Sequence, residues 1–121
     1  MSIYAIWIDR ENARIFHFST EKMERKHLQS RHPNHHTHPL DQMDFQKMEH
    51  HFFKEICLHL KETTRLLILG PGVAKYHFQT YLMEQVPDLA KKLVGCVTVD
   101  HPTDAQIGAA ASKFFGMDIL K

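Results

Sequence analysis

The sequence predicts an α/β domain built on a mixed five-stranded sheet, with elements in the order β-β-β-α-β-α-β-α. Three features carry this reading. Two β-branched and aromatic runs at the start of the chain are separated by a short polar turn. Two later runs are almost wholly aliphatic, the pattern of strands covered on both faces. Between and after them, apolar residues recur at spacings of three and four, the period of amphipathic helices.

Residues 3–9 and 13–19 form the first two strands, and Arg10, Glu11 and Asn12 supply a hairpin turn that makes them antiparallel. Residues 22–29 set Met23 and Leu28 among charged side chains, as an edge strand with one wet face does. Residues 31–40 hold two prolines, one asparagine and four histidines without helical or strand periodicity, and read as a loop. Asp41 can cap a helix that runs to about Glu62, with Phe45, Met48, Phe52, Phe53, Ile56, Cys57 and Leu60 on one arc. Residues 65–69 form a central strand ended by Gly70, Pro71 and Gly72. A helix over 74–84 turns Phe78, Tyr81 and Leu82 inward, and Pro87 breaks its pattern. Residues 93–99 are the fifth strand. Thr103 can cap the last helix with Gln106 in the capping-box position, and Ile107, Ala110, Ala111, Phe114 and Phe115 form its buried stripe.

Strands separated by helices demand parallel crossovers. A three-strand meander followed by two parallel strands is the arrangement of ribonuclease H-like domains, and a doubly wound sheet with an antiparallel edge gives a similar string; the first is favoured.

At 121 residues, with 43% hydrophobic and 24% charged side chains, the chain is expected to fold as one domain, 1–121, without metal or disulfide staples. The formal charge of +1, from 15 basic and 14 acidic side chains, gives no global drive toward nucleic acid or anionic membrane, so any nucleic-acid role rests on a local patch. Cys57 and Cys96 sit in a helical and a strand pattern and read as small apolar residues rather than a disulfide. With neither a signal-peptide pattern nor an apolar run approaching about 18 residues, no membrane association is expected, and the cytoplasm is the expected compartment.

Several segments together resemble a known family. Ile6, Trp7, Ile8 and Asp9, followed by Ala13, Arg14, Ile15 and Phe16, and then Leu69, Gly70, Pro71 and Gly72 with Lys75 and Phe78, are similar to the middle domain of the archaeo-eukaryotic peptide-chain release factors and of Pelota. Residues 99–106 also resemble short bacterial proteins described as translational machinery proteins. The resemblance covers nearly the whole chain and implies a partner in the ribosome or its RNA. In the release factors, a Gly-Gly-Gln tripeptide on the loop between the third strand and the first helix promotes peptidyl-tRNA hydrolysis. Residues 31–41 contain no glycine and no glutamine, so the backbone freedom and the amide for that chemistry are missing. Gln29 and Gln42 flank the loop without glycine neighbours, and no catalytic residue is assigned.

Two chemistries compete for the loop. His32, His35, His36 and His38 are suitable ligands for zinc or another divalent transition metal, although no cysteine or carboxylate pair at metal-site spacing accompanies them. The position of the loop in the family offers another role. Arg31, His35, His36 and His38, with Arg25 and Lys26 nearby, can contact RNA phosphates and bases. A solvated loop without a specific ligand accounts for the same residues. Gly72 and Lys75, where a central strand meets a helix, suit an anion or a tight structural turn. His101 and Gln106 serve either as a strand end and helix cap or as part of the same ribosome-facing patch. A two-metal nuclease needs three carboxylate positions; Asp9 and either Glu49 or Glu55 fill two, and the fourth strand ends in Leu69 and Gly70 without a third. Because such a loop supplies little buried apolar area, replacing His35, His36 and His38 together by alanine leaves the thermal midpoint nearly unchanged; a loss of several kcal/mol in a calorimetric scan would show that they anchor structure or a metal.

Overall fold

A hydrogen-bonded turn at Asp9 starts the sheet. Its carboxylate Oδ1 accepts the backbone N–H groups of Glu11 (2.9 Å) and Asn12 (2.6 Å), and its own N–H donates to the Asn12 carbonyl (2.9 Å). This closes a hairpin between β1 (Ile3–Ile8) and β2 (Asn12–Phe18), in which Ile6 faces Ile15 and Trp7 faces Arg14. The computed structural model describes residues 2–18, 23–30 and 42–115, with the backbone alone for 42–46.

Strand β3 (Met23–Gln29) pairs antiparallel with β2 and is mostly exposed, as its charged residues require. Helix α1 (Gln42–Cys57) is shorter than the apolar periodicity suggests. The Leu58 N–H is shared between the Lys54 and Glu55 carbonyls at 3.2 Å, and His59 and Leu60 then make tighter three-residue bonds to Ile56 and Cys57. That tightening turns the chain toward β4 while Leu60 still reaches the core, so the apolar spacing outlasts the helix. Strand β4 (Arg65–Gly70) lies parallel to β1, tied at its start by Thr64 N–H donating to the Ser2 carbonyl (2.8 Å). Helix α2 (Ala74–Gln85) follows. Pro87 then does more than end it: placed at the first turn of α3 (Pro87–Ala90), where its missing N–H is not needed, it starts a further short helix absent from the predicted order. Strand β5 (Leu93–Thr98) is parallel to β4, and α4 (Asp104–Phe115) closes the described chain.

The sheet order is β3-β2-β1-β4-β5, the mixed five-stranded arrangement expected from the sequence. Alternation along the strands divides the core into two layers. Ile6, Ile8, Ile15, Leu66 and Ile68 face α1 and α2, packing with Phe52, Phe53, Ile56, Phe78 and Leu82. Ile3, Ala5, Trp7, Phe16, Leu67 and Leu69 face α4, packing with Ile107, Ala111 and Phe115. Phe114 departs from the predicted stripe: it is 43% exposed, and the tip of its ring sits against Gly95, where an added Cβ would come within 2.3 Å of Cζ.

At Gly70 the neighbour is backbone rather than side chain. A Cβ there would stand 2.3 Å from the Ile8 carbonyl oxygen, so β1 and β4 approach as closely as they do only because position 70 is glycine. At Gly72 a Cβ meets nothing within 4 Å. Gly70→Ala is therefore expected to cost about 1–3 kcal/mol by forcing β1 and β4 apart, while Gly72→Ala changes stability by less than about 0.5 kcal/mol; urea unfolding of the two variants side by side checks the contrast.

Candidate functional site

The carboxyl ends of parallel strands are where open α/β sheets offer clefts, because the chain leaves neighbouring strands in different directions there. A cleft of about 520 Å³ opens at this end, lined by residues 9–11 from the β1–β2 turn, residues 71–74 from the β4–α2 loop, and His101 from the β5–α4 connection. A second hollow of similar volume lies elsewhere, between Ser30 and the Lys47, His51 and Glu55 flank of α1.

The first cleft sets the charged residues of the hairpin turn against the glycine, proline and apolar side chains of the β4–α2 loop. Gly72 and Val73 are exposed at its lip, Val73 being 50% accessible, and α2 begins there without a side-chain cap. Lys75 faces inward: it is buried, its Nζ donates to the Gly72 carbonyl, and it lies 4.3 Å from the Tyr76 ring centroid. A lysine in a first helical turn reads in sequence as a ligand for an anion, whereas here its ammonium braces the loop that carries Gly72.

His101 is fixed by a chain of contacts around the single tryptophan. The Trp7 Nε1–H donates to the Asp100 carbonyl (2.8 Å), the His101 ring stands 5.2 Å from the indole, and the Arg14 guanidinium sits 4.5 Å over it from the neighbouring strand. Arg14 Nη1 also meets Asp104 Oδ1 at 3.0 Å, and Arg25 Nε meets the other carboxylate oxygen at 3.3 Å. The first residue of α4 is thereby held against β2 and β3. Gln106 completes the predicted capping box: its Oε1 accepts the Thr103 N–H (2.9 Å), and its N–H donates to Thr103 Oγ1 (3.2 Å).

Gly72 and His101 thus share one cleft, Lys75 supports it from beneath, and Gln106 lies at the start of α4. Arg31, His32, His35, His36 and His38 lie outside the described residues. The Trp7–Asp100 and Arg14–Asp104 links escape a linear reading because their partners are some ninety residues apart. Part of the signal was available, since the turn at residues 10–12 sets the hairpin register that brings Arg14 beside Trp7.

The carboxylates considered for a nuclease are otherwise engaged or apart. Asp9 closes the hairpin turn, Glu49 pairs with His77 at 3.0 Å, and Glu55 borders the other hollow. Among the described residues no three His, Cys, Asp or Glu side chains gather as a metal site. Both cysteines are free and half-buried, as apolar rather than nucleophilic thiols: burial pushes Cys57 up to about 11, and raises Cys96 against the opposing pull of the Lys75 charge. No helix among the described residues is long and apolar enough to cross a membrane.

No protein-family model and no curated protein matches the chain. Solved structures do. An archaeal translation termination factor aligns with TM-score 0.67 and 23% identity, covering 97% of this chain and 35% of that one. Pelota of Archaeoglobus fulgidus gives 0.59 and 21%, covering 95% and 33%, and Pelota of Thermoplasma acidophilum gives 0.65 and 17%, covering 99% and 35%. The chain spans about a third of the length of these proteins and shares the fold of their middle domain. Within that fold, Trp7→Phe keeps most of the buried ring but removes the donor to the Asp100 carbonyl; a loss of about 1–2 kcal/mol is expected, measured by chemical unfolding, and an unchanged midpoint would mean that the bond adds nothing to the β5–α4 junction.

Proposed function

We propose that this domain is a translation-associated module that binds the ribosome or its RNA and does not release nascent peptides by itself. The observation that supports this most is the likeness over nearly its whole length to a domain of an archaeal translation termination factor and of Pelota. The binding surface is proposed to combine the carboxyl end of the sheet, through the Gly72 loop braced by Lys75, His101 and Gln106, with Arg31, His35, His36 and His38 of the β3–α1 connection. Histidine and arginine side chains suit contacts to phosphate and base edges, and the exposed Gly72 lets a nucleic-acid backbone approach its loop closely. With a formal charge of +1, binding of this kind draws on a local patch, so its salt dependence is shallow compared with that of a strongly basic protein.

Hydrolysis of peptidyl-tRNA needs a water held against the ester carbonyl and donors aimed at the developing oxyanion. The β3–α1 connection lacks the glycines and glutamine for this, and Pro33 and Pro39 each fix φ and remove an amide donor. The purified, untagged protein is expected to sediment with ribosomes in the presence of a chelator selective for transition metals, with magnesium kept in excess. The Arg31→Ala/His101→Ala variant is expected to sediment several-fold less. In parallel, stalled ribosome complexes carrying labelled peptide should show no release above background. Failure to sediment, or sedimentation lost on chelation together with a stoichiometric metal in native mass spectrometry, would refute ribosome binding in favour of a metal-dependent role for the histidines; complete release would refute the non-catalytic assignment.

A further inference from the structure

The two edges of the sheet are built differently. The β3 edge exposes Glu24, Arg25, Lys26 and His27, a row of charge that disfavours pairing with another strand. The β5 edge carries Leu93, Val94, Gly95, Cys96, Val97 and Thr98, with no charge and no proline, and among the described residues no strand pairs with its outer side. Val99 donates its N–H to the Gly70 carbonyl (2.9 Å), so by strand alternation Val97 also points toward β4, and the N–H and C=O groups of Cys96 and Thr98 point outward. Beside this edge are the exposed side chain of Val94 and the Phe114 ring over Gly95.

We propose that β5 pairs antiparallel with β5 of a second copy, across a two-fold axis at Cys96, joining two sheets into one. Symmetry and charge select this register. A two-fold axis perpendicular to the sheet keeps facing residues on the same side, so the axis passes through a residue position. Centred on Cys96, it sets two Cys96 residues opposite each other with outward groups suited to reciprocal hydrogen bonds, and Val97 of the second copy faces Gly95 beside the Phe114 ring. The same register brings Lys91 and Lys92, which precede the β5 irregularity, alongside Asp100 of the second copy, and symmetry repeats the contact. All three side chains are exposed. Centring on Gly95 sets Lys92 against Thr98, and centring on Val97 sets Asp100 against Val94; neither matches the charges. The uncharged edge and complementary ends favour a second copy over a charged peptide.

Sedimentation velocity of the full chain over a concentration series tests this. The wild type is expected to form a concentration-dependent dimer. Lys91→Glu/Lys92→Glu and Asp100→Lys, all at exposed positions, should each weaken it about tenfold or more, and an equimolar mixture of the two variants should recover wild-type affinity as a heterodimer. Backbone amides of Cys96 and Thr98 should gain protection from hydrogen exchange as the dimer forms. A monomer at every concentration, a dimer indifferent to both charge reversals, or no recovery in the mixture overturns the proposal. Concentration-independent protection of those amides also overturns it, because another part of the same chain then fills the edge.

Discussion

Strand β1 has an antiparallel neighbour on one side and a parallel neighbour on the other, and its side chains enter a core layer on each face. Ile6 and Ile8 anchor one layer and Ala5 and Trp7 the other, so displacement of this strand would disturb both at once. The parallel contact with β4 is close at its end, because the Ile8 carbonyl occupies the space that a Cβ at position 70 would need. That approach fixes where the β1–β2 turn and the β4–α2 loop emerge, and hence the two walls of the cleft. The geometry at the carboxyl end of the sheet is thus inherited from a backbone contact inside it.

The cleft combines rigid backing with an exposed rim. Asp9 spends its carboxylate on the hairpin turn, Lys75 its ammonium on the Gly72 carbonyl, and Asp104 its two oxygens on Arg14 and Arg25. These charged side chains are engaged in holding the loops. Arg10, Glu11, Gly72, Val73 and His101 remain at the rim. Such a surface sets charged, imidazole and bare-backbone groups side by side, and the raised thiols of Cys57 and Cys96 are not among the residues that line it.

Local rules made most elements legible. The hairpin turn at residues 10–12, the aliphatic run in β4 and the Thr103–Gln106 capping box depend on neighbours in sequence, and each has its predicted form. Periodicity was less informative where packing continued beyond the helix: Leu60 keeps its core position through a tightened turn after Cys57. Pro87 was legible as a break but not as a start, since the same missing N–H serves both. The spacing of Phe114 fits the α4 stripe and predicts burial, but the ring instead covers the bare backbone of Gly95, a pairing that no single-helix pattern reveals. The inward turn of Lys75 was hidden for a related reason: burial of a cation depends on an acceptor supplied by the fold, here the Gly72 carbonyl.

The single indole is placed at a junction of the molecule. Its ring belongs to the core layer under α4, its N–H holds the segment after β5, an arginine from β2 lies over its face, and the cleft histidine stands beside its edge. Because the chain has no other tryptophan, its emission is a site-specific optical signal from the meeting point of the hairpin, the last parallel strand and the final helix. Occupation of the cleft at His101, fraying of the β5–α4 connection and loss of the Arg14 contact all alter the surroundings of one fluorophore, so the protein carries a built-in spectroscopic reporter beside its candidate binding surface.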